Sequence, residues 1–289
     1  MARGYSTRRL QVFSVHGRTD DGAIEYETFF RSLASLAARE RTLTVGESTL
    51  ALPVLVVEDR HVRFRAYEGD RTQYPLIFDT LNAGERIEQL DSGEVVATKT
   101  HGAIDLDTRE CIVEYTHRGA KTDAIARLID ELGRNVLGID TLEFSLVPVA
   151  DESFIEALDR FSQVRVARMR LVRPNHDWTP EYETITEIAR ESDARTIEVE
   201  ITAKREGTVR RDGGFFRTLR EMARGTHPNV KSASVSGVRP GEDAVATVSL
   251  AHHIESVVVS VHLTQFGHVD DVLIEESIAN YLKSRRWRP

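Results

Sequence analysis

The sequence predicts an α+β protein of two domains, each a mostly antiparallel sheet with packed helices. Three observations lead there. Strand-like and helix-like periods alternate along the chain without an internal repeat. Several strand pairs are joined by turns too short for the crossover that parallel neighbours need. The 289 residues exceed one ordinary domain, at roughly 100–200 residues each. We place the boundary near residue 150, giving domains 1–150 and 151–289.

Each element has its own signal. Leu10, Val12, Phe13 and Val15 make 9–16 an opening strand. Phe29, Phe30, Leu33, Leu36 and Ala37 recur at helical spacing and predict an amphipathic helix over 25–40. Strands follow at 42–45, 50–57 and 61–67. In the last, Val62, Phe64 and Ala66 alternate with Arg63 and Arg65, the pattern of a strand with one wet face. Residues 95–104 and 109–115 read as a hairpin around 105–108. Thr122 is the expected cap of a helix over 123–132, stopped by Gly133. A strand at 141–149 ends the first half. The second half reads as a helix at 151–161, a strand at 164–172, a helix at 181–191 and a strand at 196–202. A helix opened by Gly213 and Gly214 runs to Arg224. Strands at 230–235, 244–250 and 254–263 follow, and a helix at 269–283 with Val272, Leu273, Ile278 and Leu282 closes the chain. Pro174, Asn175 and Pro180 mark 173–180 as a linker, and Pro240 with Gly241 mark 238–243 as a loop.

Composition excludes several classes. One cysteine, Cys111, rules out a disulfide framework within the chain and any cysteine-built zinc site. No apolar run approaches the roughly 18 residues of a transmembrane helix. Arg3, Arg8 and Arg9 among polar residues do not make a secretory leader, so the expected location is the cytoplasm. Net charge is −8, but unevenly spread: residues 1–150 carry −6 and 151–289 carry −2, while 204–231 carries +5.

That local excess is where a polyanion would bind. Arg217, Arg220 and Arg224 fall at i, i+3 and i+7, one stripe of a helix whose other residues include Phe215, Phe216, Leu219, Met222 and Ala223. Lys204, Arg205, Arg210 and Arg211 precede it. Gly213 and Gly214 let backbone amides approach an anion at the helix start. A second line, Arg160, Arg165, Arg168, Arg170 and Arg173, lies in a stretch without acids, and its alternation slips near Ala167, as a bulge would make it. Such lines suit phosphates and carry no base-reading chemistry. Each also fits a solvated helix face or a charge-protected edge strand. Lys283, Arg285, Arg286 and Arg288 with Trp287 form a basic-aromatic tail.

No catalytic signature appears. There is no phosphate-binding glycine loop, no nucleophile elbow and no His-Glu-x-x-His. His252 and His253 are adjacent, so on a strand they face opposite ways; with His262, His268, Asp270 and Asp271 they do not form a metal-ligand spacing. Asp105 and Asp107 read as turn residues and Cys111 as a buried thiol. We therefore expect no enzyme activity, no metal and no cofactor.

The N-terminal order carries a resemblance. His16, Gly17 and Arg18 close the first strand, and a Phe-Phe-x-x-Leu-x-x-Leu helix runs from Phe29 to Leu36. Thr42-Leu43-Thr44-Val45-Gly46 follows, then the strands at 50–57 and 61–67. Over about residues 8–70 this resembles the RexA-like phage-exclusion proteins, which are themselves related to RdgC-like dimers that encircle DNA. The resemblance implies a homodimer that binds double-stranded DNA without sequence preference. It also implies a role in superinfection exclusion or the lysis–lysogeny decision, beside a membrane-protein effector. It brings no site residues. The DNA-contact candidates are those of the charge reading: Arg165, Arg168, Arg170, Lys204, Arg205, Arg210, Arg211, Arg217, Arg220 and Arg224. The competing readings are a protein–protein sensor or scaffold without DNA binding, and a metal-dependent nuclease.

Overall fold

The computed structural model describes residues 4–79, 84–172, 191–192, 194, 196–205, 207–210, 213–224, 229–242 and 244–285. The expected linker 173–180, almost all of the helix 181–191, Arg173, Arg211 and the tail residues Arg286, Trp287 and Arg288 lie outside them.

The chain is α+β, with antiparallel pairing throughout its described sheets. Its strands are β1 (Tyr5–Thr19), β2 (Gly22–Ala23), β3 (Thr42–Val45), β4 (Ser48–Glu58), β5 (His61–Asp70), β6 (Leu76–Asp79), β7 (Gly84–Ile87), β8 (Val96–Asp105), β9 (Glu110–Tyr115), β10 (Glu143–Pro148), β11 (Gln163–Val172), β12 (Thr196–Thr202), β13 (Val230–Val238), β14 (Val245–Ser249) and β15 (Ser256–His262). The helices are α1 (Tyr26–Ser35), α2 (Thr122–Asn135), α3 (Glu152–Asp159), α4 (Gly214–Arg224) and α5 (Asp271–Arg285), with a 3-10 turn at Leu250–His252.

The first sheet runs β10-β1-β9-β8-β5-β4-β3. Its longest strand, β1, pairs with β9 along one edge. Its other edge is shared end to end by β15, opposite Tyr5 to Gln11, and β10, opposite Phe13 to Arg18. Both faces are covered. Phe13, Val15, Phe64, Ile104 and Val113 pack under α1 and α2, joined by Phe29, Phe30, Leu33, Ile125, Leu128 and Ile129. On the opposite side Leu10, Ala103 and Ile112 pack under α5 through Ile274, Ile278 and Leu282. Of the two arginines on the polar face of β5, Arg63 stays exposed as its alternation suggests, whereas Arg65 is half-buried beside α5; both pair with Glu275.

Four other local expectations are corrected. α1 ends at Ser35, because Leu36 turns extended and the buried Arg41 guanidinium takes the carbonyls of Ala34 and Pro53, 3.1 and 3.0 Å away. Gly133 does not stop α2; it lies inside the helix, where a Cβ would come within 2.1 Å of Leu142. Thr122 is the first helical residue, and the cap position is Lys121, which makes no side-chain cap bond. On α5 the buried stripe is Ile274, Ile278 and Leu282, whereas Val272 is 60% exposed.

The second sheet, β12-β11-β13-β14, has its own core. α3 and α4 bury Phe154, Leu158, Phe216 and Leu219 on the face presented by Val164, Ala167, Met169, Leu171, Val235 and Val248. The chain passes from the first sheet to the second after β10. β15 and α5 return to the first sheet, because β1 offers its edge to β15 and the sheet its open face to α5. The two crossings lie side by side, with Asp151 N–H donating to the His253 carbonyl and Glu255 N–H to that of Val149. No helix among the described residues is long and apolar enough to cross a membrane.

Candidate nucleic-acid interface

On β11 the alternation slips at Arg165. Val164 faces Gly237 and Val166 faces Ser236, so Arg165 is the extra residue of a bulge, two positions before the expected one. Its guanidinium donates to the Gly207 carbonyl at 2.8 Å, while its own carbonyl accepts from Ala203 at 2.7 Å. Val209 N–H bonds the Val164 carbonyl, and the Thr208 hydroxyl accepts from Val164 N–H. The loop after β12 is thus tied along the start of β11, and it presents Lys204, Arg205 and Arg210 exposed beside the bulge. Arg239, which the charge reading passed over, belongs to the same end: it follows β13 directly, and Val238 pairs with Gln163.

The other candidates separate from this group. Arg168 and Arg170 point away from α3 and α4, onto the face of the sheet that no described helix covers. There Arg168 donates to Glu200 across the strand pair, 2.8 and 3.3 Å to the two oxygens. This hydrogen bond raises the arginine above its usual pKa and holds the Glu200 carboxyl below its own. Arg170 is in register with Glu198. Ser232, Ser234, Ser236 and Thr247 complete a face of hydroxyls and balanced charge. The α4 stripe lies in the other layer of the unit. Arg217 sits 3.6 Å from Glu221, one helical turn on, and Arg220 pairs with Asp159 at 3.0 Å. Arg224 is the last residue of α4. The described candidates therefore do not form one surface: Arg168 and Arg170 lie in one layer and Arg217 and Arg220 in the other, because strand alternation and α4 packing turn them opposite ways.

The densest charge lies where the sequence reading did not look, between α5 and the first sheet. Asp271 and Glu275, in the first turns of α5, reach down to β5 and β8. Glu275 accepts from Arg65 at 2.6 Å and Arg63 at 3.0 Å; Asp271 pairs with Arg65 at 2.9 Å and with Lys99. His101, 1% exposed at its side chain, spans two carboxylates, with Nδ1 2.7 Å from Glu114 and Nε2 3.0 Å from Asp271. Arg8 adds a 3.0 Å contact to Glu114. Burial opposes the charge on Asp271, but hydrogen bonds from Lys99 and His101 and the nearby Arg65 outweigh it and hold the carboxyl below its ordinary range. At the far end of α5, Arg285 binds Glu110 at 2.6 Å and also Glu255.

The remaining chemical candidates settle into structural places. Asp105 is fully buried and accepts from the N–H groups of Asp107 and Thr108, as a turn residue does. Cys111 is buried and its thiol is pushed far above the ordinary range by loss of solvent, which leaves it unreactive. His253 is held by Ser153 at 2.7 Å and His262 stacks on Tyr5. Among the described residues, no group of three or more His, Cys, Asp or Glu side chains is arranged to hold a metal ion. The sequence matches no known protein-family profile and no curated protein.

Proposed function

We propose that the protein binds double-stranded DNA through its phosphates, without reading sequence and without cleaving it, and that it does so as a homodimer in a phage-exclusion role. The observation that supports binding is the gathering of Arg165 on β11 with Lys204, Arg205 and Arg210 at one end of the second sheet, the last three on a loop tied to β11 by four hydrogen bonds. A loop held this way loses little freedom when it meets a phosphate, so its charges act at low ordering cost. The exclusion role, the dimer and a membrane-protein effector rest on the resemblance over about residues 8–70. The strand and helix arginines that already have acidic partners are assigned a lesser part, because a paired guanidinium must give up its carboxylate before it takes a phosphate.

Fluorescence anisotropy with a random duplex of about 30 base pairs, between about 50 and 200 mM salt, tests this reading. Wild type is expected to bind and to weaken steeply with salt. The triple variant Lys204→Ala, Arg205→Ala, Arg210→Ala is expected to lower the log–log salt slope by about 3, and Arg217→Ala to leave it in place. No binding at the lowest salt sinks the proposal, and an unchanged slope in the triple variant removes this surface from it. Plasmid that is cut during incubation with magnesium or manganese would instead favour the nuclease reading.

A further inference from the structure

One cavity lies against α5 and a second beside the turn that precedes it, and their linings differ in sign. One, of about 420 Å³, is lined by Glu58, Asp59, Glu275 and Glu276 against Arg63 and Lys283. The other, of about 560 Å³, is lined by Arg8, Lys99 and Arg118 and by three imidazoles, with Glu114 as the one lining carboxylate among the described residues. Glu114 is already engaged by His101 and Arg8. The second cavity therefore favours an anion at its mouth, where Arg118, His117 and His268 are exposed.

That mouth is built rather than loose. The segment carrying His117 and Arg118 is held by the Thr100–Thr116 hydroxyl contact at 3.0 Å. Lys121 Nζ donates to the carbonyls of Thr116 and His117, 2.5 and 2.8 Å away. At Gly119 a Cβ would come within 2.1 Å of the Thr116 hydroxyl, so only glycine lets the segment close down this far. Across the opening, His268 sits in a turn where its carbonyl accepts from Thr264 N–H at 2.7 Å and Gly267 adopts φ 77°. Two segments distant in sequence are thus each locked, and both present cationic or imidazole groups to one opening. Tyr67 and Tyr115 add aromatic surface to the lining.

We infer that this cavity is a binding site for a small phosphorylated ligand of nucleotide size. The Arg118, His117 and His268 rim takes the phosphate, and the tyrosine-lined part takes the ring. Its volume falls within the roughly 300–1,000 Å³ of small-molecule sites, and fixed donors at the mouth suit charge-assisted bonds to phosphate oxygens. The site lies on the first sheet, apart from the DNA surface proposed on the second, and does not depend on it.

Titration calorimetry of the full chain with adenosine 5′-monophosphate, adenosine and inorganic phosphate tests the assignment. The monophosphate is expected to bind at least about tenfold more tightly than either part alone, the weight of one charge-assisted bond. The double variant Arg118→Glu, His268→Glu is expected to abolish that binding while keeping the wild-type melting temperature, since both side chains are exposed. The same variant should retain duplex DNA as wild type does, which separates this site from the DNA surface. Absence of heat with the monophosphate overturns the site. So does equal affinity in the folded double variant. Inorganic phosphate binding as tightly as the monophosphate overturns the ring half of the assignment.

Discussion

The two sheets of this protein handle charge in opposite ways. In the first, both faces are covered, and charged residues are drawn under α5 into an ion-pair network with His101 and Glu114 at its centre. In the second, the described helices cover one face, and Arg168, Glu200 and the basic residues of the bulge end are exposed among the described residues. The same residue types therefore do different work. Beneath α5 His101, Glu114 and Glu275 are buried and depend on their partners, while the arginines and Lys99 that pair with them stay partly in solvent. On the second sheet solvent screens the charges and leaves them open to exchange partners. The contrast separates a part built for cohesion from a part suited to contact.

The sharpest way to break the comparison is Glu114→Ala. It leaves His101 and Arg8 beside a carboxylate-sized gap in a buried place, and the expected loss is about 3–5 kcal/mol in urea unfolding. A loss near zero would mean that the network is not cohesive. Ile278→Ala, which empties part of the α5 contact, is expected to cost about 2–5 kcal/mol and to raise hydrogen exchange in β8 and β9 before it does so in β11. Acid should act next. Asp271 has a folded pKa below its unfolded one, so its contribution is whole above the unfolded value of about 4 and disappears as pH falls through the folded value. Asp271→Asn is accordingly expected to be less stable than wild type at pH 7 and to converge on it in acid; parallel curves would show that this carboxylate is not coupled to folding. The smallest effect belongs to the second sheet. Glu200→Ala should leave the unfolding midpoint where it is and, by freeing Arg168, tighten duplex binding slightly at low salt.

Much of the fold was legible because its signals are local. Strand alternation at Val62, Phe64 and Ala66, and helical spacing at Ile125, Leu128, Ile129 and Leu132, each need only a few neighbouring residues. What was not legible depended on distant partners. Alternation at Arg63 and Arg65 describes one polar face but cannot say that Glu275, 212 and 210 residues further on, will pair with both. Gly133 looks like a stop until Leu142 is known to press on it. The arginines of α4 behaved likewise: Glu221 stands one turn from Arg217 and was visible in the sequence, whereas Asp159 reaches Arg220 only through packing of α3 against the same sheet. The basic loop was legible as charge but not as geometry, since its place is set by pairing with Val164 and Arg165. The cavity beside α5 left no local signal at all, because Arg8, Lys99, Arg118 and His268 come from four separate stretches of chain.

The return of β15 to β1 has a consequence for how the protein is made. Synthesis proceeds from the N-terminus, and domains generally fold as they emerge from the ribosome. Here the opening strand must wait through some 240 residues before Ser256–His262 can pair with it, and longer still before α5 brings Glu275 to Arg63 and Arg65. The intervening unit, with its own core, can close in the meantime. During translation the order of completion is therefore the reverse of the order of the first strands. A chain cut short near residue 253 would carry a finished second unit on an unfinished first one, with the Tyr5–Gln11 part of its β1 edge bare and open to any other strand.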